Sequence, residues 1–172
     1  MDSPGQPRIV VGVSGSLASA KALRWAAAEA QRRQAQLGVV TAWEPVHRAS
    51  YAPPGLRHSL ERQRLHASQE LEYALKAVFG PVLPTDMITE IAEGMAERAL
   101  VDRSAGADLL VLGSTSSIAG PGRSIGPVIR ACLTSAHCPV VVIAPEGARG
   151  ELARVRNDYH RAGRVLNDLA AY

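Results

Sequence analysis

The part of this chain best equipped for chemistry is a hydroxyl-rich loop. Between Ser114 and Ile125 lie Ser114, Thr115, Ser116, Ser117 and Ser124, with Arg123 among them. Hydroxyls both donate and accept hydrogen bonds, and a guanidinium offers a fork of donors that matches anionic oxygens. The stretch Val128 to Ala136 reads as a helix, and the amides of Val128 and Ile129 in its first turn have no partner within it. Hydroxyls, a guanidinium and helix-start amides gathered on one loop suit the recognition of an anion. A second small polar turn, Ser14-Gly15-Ser16, supplies a helix cap and more hydroxyls.

Other reactive side chains form no such group. His47, His58, His66, His137 and His160 show no pairing with cysteines or acids at metal-ligand spacing, so no metal site is assigned. Cys132 and Cys138 lack the paired spacing of a zinc site and are expected to be reduced and packed. No serine sits in a nucleophile elbow, and no catalytic residue is assigned. The absence of Gly-x-x-x-x-Gly-Lys-Ser/Thr excludes a P-loop. Trp25 and Trp43 read as packing residues.

Something must hold the two polar turns together, and the rest of the chain suggests what. Short apolar runs alternate with longer amphipathic ones. Strands are expected at Ile9–Val13, Leu37–Trp43, Met87–Ala92, Asp108–Gly113 and Pro139–Ala144. Helices are expected over Ser19–Arg33, from Leu56 to the Gly80-Pro81 stop, over Met95–Ser104 and over Val128–Ala136. Strand–helix alternation with apolar strands specifies an α/β fold with a parallel sheet covered on both faces. Right-handed crossovers limit it to a doubly wound sheet, in which ligands bind where the strand order reverses. That rule makes the Ser14–Ser16 turn and the Ser114–Ile125 loop two walls of one site.

Composition agrees with this class. The 172 residues are 47% hydrophobic and 20% charged, and only 4% are aromatic. A net charge of +3, with basic residues dispersed apart from short clusters such as Arg32-Arg33, reads as a solvated surface rather than a nucleic-acid footprint. Met1 to Pro7 lacks the pattern of a signal peptide, and no apolar run approaches the roughly 20 residues that span a bilayer. A cytoplasmic protein without membrane contact is expected.

Several segments, in order, carry a family likeness. They are Arg8-Ile-Val-Val-Gly-Val-Ser-Gly-Ser16 with Ala22–Ala30, Glu90–Gly94, Ala105–Ser114 and Gly126–Ile143. Together they resemble the universal stress protein family across Arg8 to Ala144. The resemblance implies a five-stranded sheet ordered 3-2-1-4-5 and, as ligand, ATP or another adenine nucleotide. It implies a phosphate motif, Gly-x-x-Gly, nine residues, then Gly-Ser/Thr, and an Asp after the first strand. This chain keeps Gly113 and Gly126 at that spacing but has Ser116, Pro127 and Ser14 at the other three positions. Topology and resemblance together assign the site to Val13, Ser14, Ala42, Leu112, Gly113, Thr115, Ser116, Arg123, Ser124, Gly126 and Val128. The expectation is a stress-response binding module with a degenerate nucleotide site. The alternative is a working ATP sensor or slow ATPase of the same family. A faint echo of the ATP pyrophosphatase loop in Val13–Ser19 lacks its second Gly and its Asp.

The domain is expected over residues 1–146, with a helical extension over 147–172. Leu152, Val155, Tyr159, Ala162, Leu166 and Leu169 alternate at spacings of three and four, an apolar seam. In the 3-2-1-4-5 order the strand at 140–144 lies at an edge without a charge or internal proline to protect it. A homodimer through that strand is expected, and the resemblance implies the same contact. The extension is expected to add to that interface or to bind another partner.

Overall fold

A computed structural model describes residues 5–45, 60–115 and 125–144. Nine elements alternate along the described residues: β1 (Arg8–Gly12), α1 (Leu17–Arg33), β2 (Gln36–Trp43), α2 (Leu60–Phe79), β3 (Met87–Glu93), α3 (Ala96–Ser104), β4 (Leu109–Gly113), α4 (Pro127–Ser135) and β5 (Val140–Ile143). All strand pairs are parallel and the order is β3-β2-β1-β4-β5. This is the expected doubly wound sheet. Val11 pairs with Val39 on one side and Val111 on the other, which centres β1 in the sheet.

Side chains alternate across each strand and so build two cores. Ile9, Val11, Leu37, Val39, Leu109 and Val111 pack against Leu23 and Ala26 of α1 and Leu71 and Leu75 of α2. Val10, Val40, Leu110 and Leu112 pack against Ala99 and Leu100 of α3 and Ile129 and Cys132 of α4. Trp25 is partly buried against the first core, as expected of a packing residue.

Element boundaries differ from the sequence expectations by one or two residues at most positions. α1 starts at Leu17 rather than Ser19 because Ser16 caps it, accepting a hydrogen bond from the Ser19 amide at 3.2 Å. α4 starts at Pro127, whose missing N–H costs nothing at the first helical position. α2 is described from Leu60. Its expected start at Leu56 lies outside the described residues, as does the extension beyond Ala144. Among the described residues no helix is long and apolar enough to cross a membrane.

Candidate functional site

The strand order reverses between β2 and β4 on either side of β1, and the carboxyl ends of these strands frame a cavity of about 290 Å³. Eight residues assigned from the sequence line it: Val13, Ser14, Ala42, Leu112, Gly113, Thr115, Gly126 and Val128. The other three, Ser116, Arg123 and Ser124, lie outside the described residues. The sequence reading did not assign Ser19, Val40, Ala96 or Leu100, which also line the cavity. Val40 and Leu100 were legible only as core, because a wall of this cavity is the outer end of the second core.

The walls are tied at their strand ends. The Val13 amide donates to the Val40 carbonyl, and the Ser114 amide to the Ile143 carbonyl, each at 2.9 Å. Gly15 takes φ +69, a conformation that glycine adopts without steric cost, and turns the chain from β1 into α1. Behind that turn three serines interlock. The Ser14 amide donates to Ser19 Oγ at 3.2 Å, and Ser19 Oγ donates to the Ser16 carbonyl at 2.8 Å. The Ser14 and Ser16 hydroxyls are 3.2 Å apart. Ser14 therefore presents a neutral hydroxyl that is already engaged with its neighbour.

Gly113 shows why the cavity has this shape. A Cβ there would stand 2.2 Å from the Ala18 carbonyl oxygen and 2.7 Å from the Ser19 nitrogen. The end of β4 thus lies directly on the first turn of α1. Gly126 is different: with φ −56 it caps α4, and a Cβ would meet no atom of the described residues within 4 Å.

Three helix starts, of α1, α3 and α4, border the cavity; those of α1 and α4 have no acidic residue in the first turn, whereas α3 has Glu97. Their orphan amides and positive dipole ends favour a negative group. No charged side chain lines the cavity among the described residues. The polar lining consists of hydroxyls and backbone, with Pro127 removing one amide from the α4 end. Such a lining suits a compact ligand of low charge. A larger cavity of about 680 Å³ lies at the opposite end of the sheet, by Gln31, Gln34, Phe79 and Asp86. It has neither a hydroxyl cluster nor a helix start, and the switch-point rule does not favour it.

Comparison with known proteins agrees with this architecture. Residues 7–144 match the model of the universal stress protein family. The chain is 38% identical over 145 residues to universal stress protein Rv2623 of Mycobacterium tuberculosis, covering 80% of this chain and 48% of that protein. The chain spans about half the length of the curated relatives it matches. Among solved structures, the universal stress protein from Archaeoglobus fulgidus in complex with dAMP superposes with a TM-score of 0.57 at 23% identity, over 80% of this chain and 97% of the other. A universal stress protein in complex with cAMP gives 0.52 at 24% identity, over 80% and 95%. These likenesses show the fold, and the family match with the 38% identical relative shows the kinship: this chain belongs to the universal stress protein family.

Proposed function

We propose that the chain is a regulatory binding module of its family whose switch-point cavity takes an adenine nucleotide weakly. One observation carries this reading: residues from both polar turns line a single cavity with the starts of α1, α3 and α4, yet no described side chain there bears a charge. Two structural neighbours hold adenine nucleotides, cAMP and dAMP, which supports adenine as the base. The dimensions point the same way, because about 290 Å³ lies at the lower end of the roughly 300–1,000 Å³ usual for ligand pockets. An extended triphosphate would have to reach the loop that carries Ser116, Arg123 and Ser124.

Pro127 supplies neither an amide nor a hydroxyl where the family motif has Ser or Thr. A lost charge-assisted hydrogen bond costs about 1.5–3 kcal/mol, a tenfold or larger drop in affinity. ATP should therefore bind more weakly than about 100 μM. Titration calorimetry with ATP, ADP, AMP and cAMP tests this, and stoichiometric ATP retained through purification would contradict it. The double replacement of Ser116 by Gly and Pro127 by Ser should strengthen binding. Hydrolysis of ATP by the unmodified protein would favour the sensor or ATPase reading instead.

The module is proposed to act as a homodimer through β5, which among the described residues is paired on one side only, with β4. The Pro139 and Ile143 carbonyls accept from Leu110 and Ser114 of the β4 side, so the alternate residues Val140 and Val142 turn their polar backbone outward. Antiparallel pairing of two such edges about a two-fold axis satisfies both. The apolar seam from Leu152 to Leu169 is proposed to extend that contact or to engage another protein. Light scattering tests the assembly, with a dimer expected at micromolar concentration. Val142→Pro, which removes an outward amide and spares the β4 ladder, should give a monomer.

A further inference from the structure

The cavity at the amino end of the sheet, about 680 Å³ against about 290 Å³ for the candidate site, has a chemistry of its own. Its floor is buried and apolar: Leu37 at the start of β2, with Ala30 and Ala35 where α1 gives way to that strand. Phe79, the last residue of α2, adds an aromatic ring to the lining. The exposed rim carries the carboxamides of Gln6, Gln31 and Gln34 and the carboxylate of Asp86. Backbone hydrogen bonds hold these walls together. The Gln36 amide donates to the Pro7 carbonyl at 2.8 Å, the Ala35 amide to the Ala30 carbonyl at 2.9 Å, and the Leu37 amide to the Asp86 carbonyl at 3.3 Å. The space is therefore formed in advance of any ligand, as binding cavities usually are.

Charge decides what such a cavity suits. Among the described residues Asp86 is the one charged side chain in the lining, and none of them pairs with its carboxylate. Gln31 lies in the last turn of α1, Gln34 caps that helix, and Phe79 ends α2. Helix carboxyl ends carry partial negative charge. The local cations that could answer it are engaged elsewhere: Arg32 and Arg33 pair with Glu29, Lys76 pairs with Glu72, and none of the three lines the cavity. Gln34 supplies an independent observation. At φ +53 it is the only non-glycine residue with a positive φ among the described residues. Glycine is the usual occupant of this position after a helix, because a Cβ strains it. A glutamine held there keeps a carboxamide at the cavity at a conformational cost, and strain of this kind gathers at functional sites.

We infer that this cavity binds a small organic cation, a protonated amine or amidine on an apolar or aromatic body. Asp86 and the two helix ends receive the charge, and the carboxamide oxygens of Gln31 and Gln34 accept the remaining N–H groups. The body lies on Leu37 and Phe79, where an aromatic ring can stack. The same groups repel an anion. One helix thus serves two opposite chemistries, with the positive end of α1 at the nucleotide cavity and its negative end here. The inference stands on this cavity alone and does not rest on the nucleotide reading.

Phenethylamine, phenethyl alcohol and phenylacetate share a body and differ in charge. Each is titrated into the isotope-labelled full chain and followed by backbone and carboxamide NMR shifts. Phenethylamine should shift Gln31, Gln34, Ala35 and Asp86 saturably at millimolar concentration, binding about tenfold more tightly than the alcohol, while phenylacetate should not bind. Asp86→Asn should bring the amine down to the alcohol's affinity and leave the alcohol unchanged. Gln34→Gly should weaken the amine about fivefold while the melting temperature holds or rises, because glycine relieves the cap. A glutamine with only a structural role would leave binding unaltered. Ala28→Trp, at an exposed position of α1 in the lining, should block amine and alcohol alike in a folded protein. Shifts confined to Ser14, Gly113 and Thr115 would put the amine in the other cavity, and equal binding of amine and phenylacetate would remove the charge argument. Either result, or no saturable shift, overturns the proposal.

Discussion

Replacing Gly113 with alanine should damage the fold, whereas the same change at Gly126 should not. At position 113 the added methyl would sit 2.2 Å from the Ala18 carbonyl oxygen, 2.4 Å from its carbon and 2.7 Å from the Ser19 nitrogen. Favourable contact between heavy atoms begins near 3.5 Å, so the overlap exceeds about 1 Å. All three atoms belong to backbone in the first turn of α1, so no side chain can swing away. β4 and α1 must separate, loosening Val111 and Leu23 in the buried core between them. Overpacking of this kind costs about 1–3 kcal/mol, and the absence of any flexible neighbour places Gly113→Ala in the upper half of that range. With a urea dependence of about 1–3 kcal/mol per molar, the unfolding midpoint should fall by roughly 1 M. Gly126→Ala meets no atom of the described residues within 4 Å, at a backbone angle open to any residue, and should stay within about 0.5 kcal/mol of the unmodified protein. Urea titrations of both variants, followed by circular dichroism, decide the matter. Equal midpoints for Gly113→Ala and the unmodified protein would refute the argument that β4 rests on α1.

Glu90 and Arg103 offer a pH test at the β3 edge. Arg103 Nε donates to both carboxylate oxygens of Glu90, at 3.0 and 3.1 Å, and this hydrogen bonding holds the Glu90 carboxyl below its ordinary 4.5. A lowered folded value means stability that is present above the unfolded value and lost as pH falls through the folded one. Both side chains are more than a third exposed or nearly so, which limits the contribution to about 1 kcal/mol at most. Arg103→Met should therefore lie slightly below the unmodified protein near neutral pH, with the gap closing below 4.5; a gap independent of pH would exclude the pair as its source. The two cysteines should separate in thiol labelling of the folded protein. Burial, reinforced by Glu97 and Cys138, pushes Cys132 up from 9.0 to about 11, roughly a hundredfold loss of thiolate at neutral pH. Cys138 is raised less and is partly exposed, so it should react first, with Cys132 labelled only on unfolding.

Much of the fold was legible because burial and periodicity coincide. β1 and β4 lie at the centre of the sheet, so Ile9, Val10, Val11, Leu110 and Val111 are buried on both faces and read as continuous apolar runs. β3 lies at an edge with Ile88 and Thr89 exposed, and its shorter apolar signal reflects that position. The site was legible where topology alone locates it: the ends of β1 and β4 must meet at the reversal of strand order, which brings Val13, Ser14, Gly113 and Thr115 to one cavity. Ser19 escaped notice because its role depends on the hydrogen-bonded turn that folds it back beneath Ser14. Nothing in residue type or spacing distinguishes it from an ordinary serine early in a helix.

The motif Gly-x-x-Gly, nine residues, Gly counts its glycines as one signal, and their physical reasons differ. Gly113 is required by the approach of β4 to the Ala18 carbonyl, whether or not a phosphate binds. Its presence reports on packing. Gly126 meets no described atom and needs no special backbone angle, so no packing among the described residues calls for it. What a glycine adds at such a helix cap is room for a ligand to reach the backbone. Pro127 works in the opposite sense: it fits the first position of α4 and removes a donor from the same opening. One residue keeps access to the helix start while the next lowers what access can gain. Both residues are compatible with the proposed weak binding of a compact nucleotide.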